Sequence, residues 1–188
     1  MKVLIAYDTT EGQTRKIAQY ASDSIRRGGH DAQLIDIRRP PSGFVADGFD
    51  AILVGASIHL GKHSRRLSEF VRRHQARLKA VPSGFFSVSL SAAGSDKEQA
   101  DADRFVEEFL QQADWSPAVK AIFAGGLLYR EYGLLKRWMM KKIAQGGGKD
   151  TDTSKNHEYT DWTAVDRFVG GFLAGFEPRQ VDEGNVTI

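Results

Sequence analysis

The sequence predicts an α/β fold in which helices cover both faces of a doubly wound, five-stranded parallel sheet. Strand-like runs alternate with helical patterns from one end of the chain to the other. The runs at 3–6, 51–54 and 121–124 are apolar without alternation, which is typical of strands covered on both faces. The length of 188 residues suits one domain with a full core.

Five strands and four helices are predicted in order along the chain. The strands are expected at 2–7, 33–37, 51–57, 84–90 and 119–125. Each helix is predicted from apolar residues that recur with the helical period. The apolar stripes are formed by Ile17, Ala18, Ala21 and Ile25; by Leu67, Phe70, Val71, His74 and Leu78; by Ala102, Phe105, Val106, Phe109 and Leu110; and by Val165, Phe168, Val169, Phe172 and Leu173. Thr160 and Asp161 are suited to cap the last helix.

One domain is predicted over residues 1–177, followed by a polar tail at 178–188. The segment between the fifth strand and the last helix, at about 127–160, is longer than ordinary connections in α/β folds. It contains a helical pattern at 132–144 and three consecutive glycines at 146–148. We therefore predict a helical insertion after the fifth strand.

Composition excludes several classes of function. The chain has no cysteine, which excludes disulfides, thiolate nucleophiles and cysteine-ligated clusters and favours an intracellular location. No apolar run approaches the roughly 18 residues of a membrane span, and no signal peptide is visible before the first strand. The net charge of +2 is too small to indicate binding of nucleic acid. No metal site is predicted.

The first loop carries the clearest functional pattern. Residues 9–14, with the sequence TTEGQT, join the first strand to the N-terminus of a helix. Free N–H groups and the helix dipole attract an anion there, and the hydroxyls of Thr9, Thr10 and Thr14 add donors. The loop lacks both the Walker A and the dinucleotide-binding patterns. It predicts a site for a phosphomonoester, although threonine and glycine are also common at ordinary helix N-caps.

Two further loops are expected beside the first. Residues 57–63 follow the third strand, and residues 89–96 follow the fourth. The carboxyl ends of parallel strands meet at one edge of the sheet, and ligands bind there at the switch point of the strand order. The three loops are therefore predicted to form one site.

Three segments together carry a resemblance to a known family. They are TTEGQTRKIA at 9–18, GASIHLG at 55–61, and GGKDTDT at 147–153 with YTDW at 159–162. The chain resembles the flavodoxin-like protoporphyrinogen oxidases of bacteria, which are quinone-dependent protoporphyrinogen IX dehydrogenases. The resemblance spans roughly residues 1–175, and its late block is the most specific part.

The resemblance implies a fold and an activity. The fold is flavodoxin-like, with strand order 2-1-3-4-5. The activity is the FMN-dependent oxidation of protoporphyrinogen IX to protoporphyrin IX in heme biosynthesis, with electrons passed to menaquinone or ubiquinone. The implied location is cytoplasmic, with peripheral contact at the inner face of the cell membrane.

The resemblance also implies which residues bind the cofactor. The phosphate loop comprises Thr9, Thr10, Glu11 through its amide, Gly12, Gln13 and Thr14. The residues beside the flavin ring are Ala56, Ser57, Ile58, His59 and Gly61 in one loop and Ser89, Leu90, Ser91 and Ala92 in the other. The second ring loop has no aromatic residue, and the first offers only His59. One face of the ring is therefore expected to be open to a flat substrate.

Two groups of side chains are candidates for further roles. His59 is the candidate for a proton acceptor, because its ordinary pKa suits pH 7; the alternative is a loop histidine without a chemical role. Candidates for contact with the substrate propionates or an anionic membrane are Arg130, Lys136, Arg137, Trp138 and Lys141. The alternative is a solvated basic helix.

Two other functions remain open from the sequence. A flavodoxin-type electron carrier is disfavoured by the mildly basic charge, the second ring loop without aromatics and the long insertion. The residues alone do not distinguish an NAD(P)H:quinone reductase from the dehydrogenase. The sequence also leaves the oligomeric state open, a homo-oligomer included.

Overall fold

The computed structural model describes residues 1–127 and 157–175. It confirms the predicted class: five parallel strands form one sheet in the order β2-β1-β3-β4-β5. The strands are β1 (Lys2–Asp8), β2 (Asp31–Asp36), β3 (Ala51–Ser57), β4 (Ser83–Ser89) and β5 (Val119–Ala124). The helices are α1 (Gln13–Arg27), α2 (Arg65–Arg73), α3 (Gln75–Ala80), α4 (Asp96–Gln112) and α5 (Trp162–Ala174).

Helices pack on both faces of this sheet. Alternate residues of β1 point to opposite faces, so Val3 belongs to one hydrophobic cluster and Leu4 to the other. The first cluster includes buried residues of α1 and α5, and the second includes buried residues of α2, α3 and α4. The continuous apolar strands of the sequence are thus explained by burial on both faces.

One predicted helix is divided in two. The apolar stripe from Leu67 to Leu78 predicted a single helix, whereas the structure ends α2 at Arg73 and begins α3 at Gln75. The ring of His74 packs 4.6 Å from Phe70 and 5.6 Å from Phe44, measured between ring centroids. The side chain of Gln75 donates to Ala113 O at 2.9 Å, which ties α3 to the end of α4. The contacts with Phe44 and Ala113 are long-range, and both lie at the junction of α2 and α3.

The two ends of the undescribed segment 128–156 meet at one place. Strand β6 (Gly126–Leu127) pairs antiparallel with β7 (His157–Glu158). Tyr159 N donates to Gly125 O at 3.2 Å. Asp161 caps α5, as predicted, by accepting a hydrogen bond from Ala164 N at 3.1 Å. The segment therefore begins and ends beside the carboxyl end of β5.

Some predictions fall outside the described part of the chain. The insertion helix at 132–144 and the tail at 178–188 lie outside it, and the domain extent of 1–177 stays a prediction. No helix within 1–127 and 157–175 has the length and apolarity needed to cross a bilayer.

Candidate functional site

The three predicted loops lie at one edge of the sheet. In the parallel register, Asp8 at the end of β1 lies opposite Ala56 in β3, and Ser57 lies opposite Val88 in β4. Ile58 N donates to Val88 O at 2.9 Å. Strand β1 is followed by β2 on one side, whereas β3, on the other side of β1, is followed by β4. The strand order therefore changes direction between β1 and β3, and ligands of such folds bind at this switch point.

The first loop folds into a cradle in front of α1. Gly12 has a φ of 90°, and its N–H donates to Thr9 Oγ1 at 2.9 Å. Among the described residues, no side chain caps the N-terminus of α1. The first N–H groups of a helix have no partner within the helix, and they face the space in front of it. An anion in this space accepts hydrogen bonds from them and is favoured by the helix dipole.

Two buried side chains of the loop have polar atoms without a partner among the described residues. Thr14 is 1% exposed and Gln13 is 4% exposed, and the unpartnered atoms are Thr14 Oγ1 and Gln13 Oε1. A buried hydroxyl without a partner costs about 1–3 kcal/mol. The Thr14 hydroxyl is a donor, so a phosphate oxygen is a suitable partner. Thr9 is also buried, whereas Thr10 is exposed and Glu11 is half-buried.

Gln13 links the first loop to the late block of the sequence. Gln13 Nε2 donates to Thr160 Oγ1 at 2.9 Å, and Thr160 Oγ1 donates to Ala124 O at 2.8 Å. Lys16 Nζ lies 3.1 Å from a carboxylate oxygen of Glu158. Thr160 therefore holds the first loop and the end of β5 together, which gives part of the YTDW block a structural role.

The loop after β3 contains a tight two-residue turn. His59 and Lys62 exchange backbone hydrogen bonds of 3.0 and 3.2 Å, and the turn residues Leu60 and Gly61 have φ values of 50° and 76°. Two positive φ values are typical of a type I′ turn, for which asparagine and glycine are favoured. A Cβ on Gly61 would lie 3.0 Å from the ring of Phe105, so glycine is needed there.

Leu60 was not among the predicted site residues. It is 96% exposed in this turn, and it combines an apolar side chain with a backbone conformation that leucine rarely adopts. The exposed side chain gains no stabilisation from burial, and the positive φ is unfavourable for leucine. Strained residues of this kind cluster at functional sites. In the sequence, Leu60 is only a leucine in a loop, and that feature is too common to identify a site residue.

His59 lies among polar side chains at this edge. Its Nε2 is 3.1 Å from Ser57 Oγ, and Ser64 Oγ donates to a carboxylate oxygen of Asp8. Burial lowers the pKa of His59 below its ordinary value, and the nearby Asp8 carboxylate opposes part of that effect. The imidazole is therefore neutral at pH 7 and able to accept a proton.

His63, four residues later, has a different environment. It is buried, its Nε2 is 3.0 Å from Ser87 Oγ, and its ring centroid is 4.8 Å from that of Phe109 and 5.5 Å from that of Phe85. Burial lowers its pKa to about 4. His63 is thus a neutral residue of the core.

The second ring loop is short and compact. Strand β4 ends at Ser89, and a 3₁₀ turn follows over Leu90–Ala93. Ser89 Oγ accepts from Ser91 N at 3.1 Å, while Gly125 N donates to Ser89 O at 3.0 Å. Leu90, Ser91 and Ala92 are half-buried at the same edge as the other two loops.

The candidates for contact with the substrate propionates or a membrane lie outside the described residues. They are Arg130, Lys136, Arg137 and Lys141, together with Trp138.

The fold and the site define the class of protein. The sequence profile of the flavodoxin domain family matches residues 4–154. Among solved structures, oxidised Flavodoxin 1 from Bacillus cereus aligns over 93% of this chain and 98% of that chain, with a TM-score of 0.52 and 15% identity. Together with the strand order and the first loop, these matches establish the flavodoxin class.

Curated relatives narrow the class to a family. The protoporphyrinogen IX dehydrogenase [quinone] of Escherichia coli (strain K12) is 36% identical over 170 residues, which are 89% of this chain and 92% of the relative. The protein of the same name from Leishmania major is 38% identical over 178 residues, which are 92% of this chain and 75% of the relative. The chain belongs to this family of dehydrogenases, and the predicted resemblance is confirmed.

Proposed function

We propose that the protein oxidises protoporphyrinogen IX to protoporphyrin IX, with FMN as cofactor and a membrane quinone as electron acceptor. The names of the relatives support the substrate and the acceptor, and the flavodoxin domain indicates a flavin cofactor. The observation that carries the choice of FMN is the buried Thr14 hydroxyl in the first turn of α1, which has no partner among the described residues. Use of a membrane quinone implies contact with the cytoplasmic face of the membrane.

In this proposal the first loop holds the terminal phosphate of FMN. Hydroxyl groups and backbone N–H groups suit a phosphomonoester because they donate several hydrogen bonds to its oxygens. The loop residues with this role are Thr9, Thr10, Glu11 through its N–H, Gly12, Gln13 and Thr14. Bound FMN supplies the electron-accepting group, which no side chain of the chain provides.

The flavin ring is proposed to lie between the other two loops. The residues beside it are Ala56, Ser57, Ile58, His59 and Gly61 on one side and Ser89, Leu90, Ser91 and Ala92 on the other. No aromatic side chain belongs to the second set. The substrate macrocycle is therefore expected to reach one face of the ring.

His59 is the proposed acceptor of a proton lost from a pyrrole nitrogen of the substrate. Because its imidazole is neutral at pH 7, the turnover rate is expected to fall as the pH decreases through its lowered pKa. His59→Gln removes this titration, so the acidic limb of the kcat profile disappears and the rate at pH 7 falls by about 100-fold. The measurement is kcat against pH, with His30→Gln as the control. An acidic limb that persists in His59→Gln would exclude this role.

Leu60 is proposed to contact the apolar face of the macrocycle. Leu60→Asn keeps a residue that tolerates the left-handed conformation and removes the apolar contact. We expect the KM for protoporphyrinogen IX to rise by about tenfold, with the Kd of FMN unchanged. Val45→Asn is the control, because Val45 is also exposed but lies in the loop between β2 and β3. Equal KM values for Leu60→Asn and the wild type would remove Leu60 from the substrate site.

The reaction itself is tested with purified protein loaded with FMN. Protoporphyrinogen IX is supplied at low oxygen with menadione as acceptor, and porphyrin fluorescence is followed. We expect a rise that requires both FMN and menadione. A protein that binds FMN but gives no rise would contradict the proposal and favour an electron carrier or an NAD(P)H:quinone reductase.

A further inference from the structure

Arg38 lies beside the phosphate loop, although it is 29 residues away from Thr9 in sequence. Its Nη1 donates to Thr9 O at 2.5 Å. The sheet register explains the approach, because Asp36 at the end of β2 lies opposite Tyr7 in β1. Arg38 N donates to Asp36 Oδ1 at 2.9 Å, which fixes the turn that follows β2.

The charges around the first loop, unlike its hydroxyl groups, disfavour the binding of an anion. Asp8 is buried at its start, and Glu11 is half-buried within it. A phosphate monoester carries a charge of about −1.5 to −2 at pH 7, so the Asp8 carboxylate at the start of the loop opposes its binding. The helix dipole contributes only about half a charge of the favourable sign. A cation at the loop offsets this repulsion.

The guanidinium of Arg38 is suited to this task. It has five N–H donors in a rigid planar fork, and the hydrogen bond to Thr9 O uses one of them. A guanidinium binds phosphate oxygens through paired hydrogen bonds and stays charged at all relevant pH values. The contact with Thr9 O fixes the group at the loop without neutralising its charge.

We propose that Arg38 contacts the terminal phosphate of the flavin. Its charge makes the loop bind FMN in preference to riboflavin. This inference rests on the proposed flavin site and extends it to a residue outside the first loop.

Two flavins that differ only in the phosphate isolate this role. The Kd values of FMN and riboflavin are measured by quenching of flavin fluorescence on the apoprotein of the wild type, Arg38→Gln, Arg38→Lys and Arg39→Gln. In Arg38→Gln we expect the preference for FMN over riboflavin to fall by about tenfold and to depend less on salt, while the Kd of riboflavin stays unchanged. Arg38→Lys keeps part of the preference, and Arg39→Gln keeps all of it.

The outcomes separate this inference from the proposed reaction. Equal weakening of both flavins in Arg38→Gln would show that Arg38 only supports the loop, and it would overturn the inference, as would an unchanged preference. A wild-type protein that binds neither flavin would overturn the cofactor site and the inference together. A wild type that prefers FMN through Arg38 but does not oxidise protoporphyrinogen IX would overturn the reaction alone.

Discussion

Thr14→Val is expected to weaken FMN binding by about 10- to 100-fold, because the lost hydrogen bond is made to a charged phosphate. The same substitution is expected to raise the free energy of unfolding of the apoprotein by about 1 kcal/mol, since it removes a buried hydroxyl that has no partner within 1–127 and 157–175. Valine has nearly the same shape as threonine, so the packing of α1 is retained. Affinity and stability therefore change in opposite directions.

Ser22→Ala is the matched control for Thr14→Val. Ser22 is also on α1, is fully buried and has an unpartnered Oγ among the described residues, but it lies farther along the helix from the first loop. Its replacement is expected to stabilise the apoprotein without changing the Kd of FMN. Urea denaturation and flavin titration measure the two quantities. An unchanged Kd in Thr14→Val would contradict the phosphate site.

Acid is expected to remove roughly 3 kcal/mol of the free energy of unfolding of the apoprotein between pH 6.5 and 4 through His63 alone. Burial lowers the pKa of His63 from 6.5 to about 4. In this range the unfolded chain binds a proton that the folded chain does not bind, so stability falls as the pH falls. Well above pH 6.5 both states are neutral at this residue, and the effect vanishes.

His63→Gln tests this source of acid sensitivity. The variant loses the titrating group, so the slope of unfolding free energy against pH between 4 and 6.5 becomes smaller. Its stability at pH 7 also falls, because contacts with Phe85 and Phe109 are lost. The pH slope, rather than the absolute stability, is therefore the decisive quantity. His30→Gln is expected to keep the slope of the wild type, and an unchanged slope in His63→Gln would refute the assignment.

The sheet and the first loop were predictable because their signals are local. The apolar run of β1 and the threonines and glycine that follow it predict a strand and a helix N-terminus within fourteen residues, and the anion site there stays a prediction. The turn at Leu60 and Gly61 was not predicted, since an exposed leucine with positive φ has no distinctive sequence signal. His59 and His63 lie four residues apart in one loop, and only their burial separates a candidate proton acceptor from a core residue.

Features that depend on distant contacts were not predictable. At the break between α2 and α3, His74 contacts Phe44 and Gln75 donates to Ala113 O. The contact of Gln13 with Thr160 joins residues 147 positions apart. Arg38 reaches the first loop only because β2 lies beside β1. Such contacts follow from the strand order and not from any local pattern.

The transfer of electrons from protoporphyrinogen IX to protein-bound FMN is the central claim, and it is tested most directly without oxygen or quinone. FMN-loaded protein is mixed rapidly with protoporphyrinogen IX, and the visible absorbance of the flavin is followed. We predict bleaching at least as fast as steady-state turnover, with recovery when menadione is added. An absorbance that stays unchanged, in protein that demonstrably holds FMN, would contradict the proposed function.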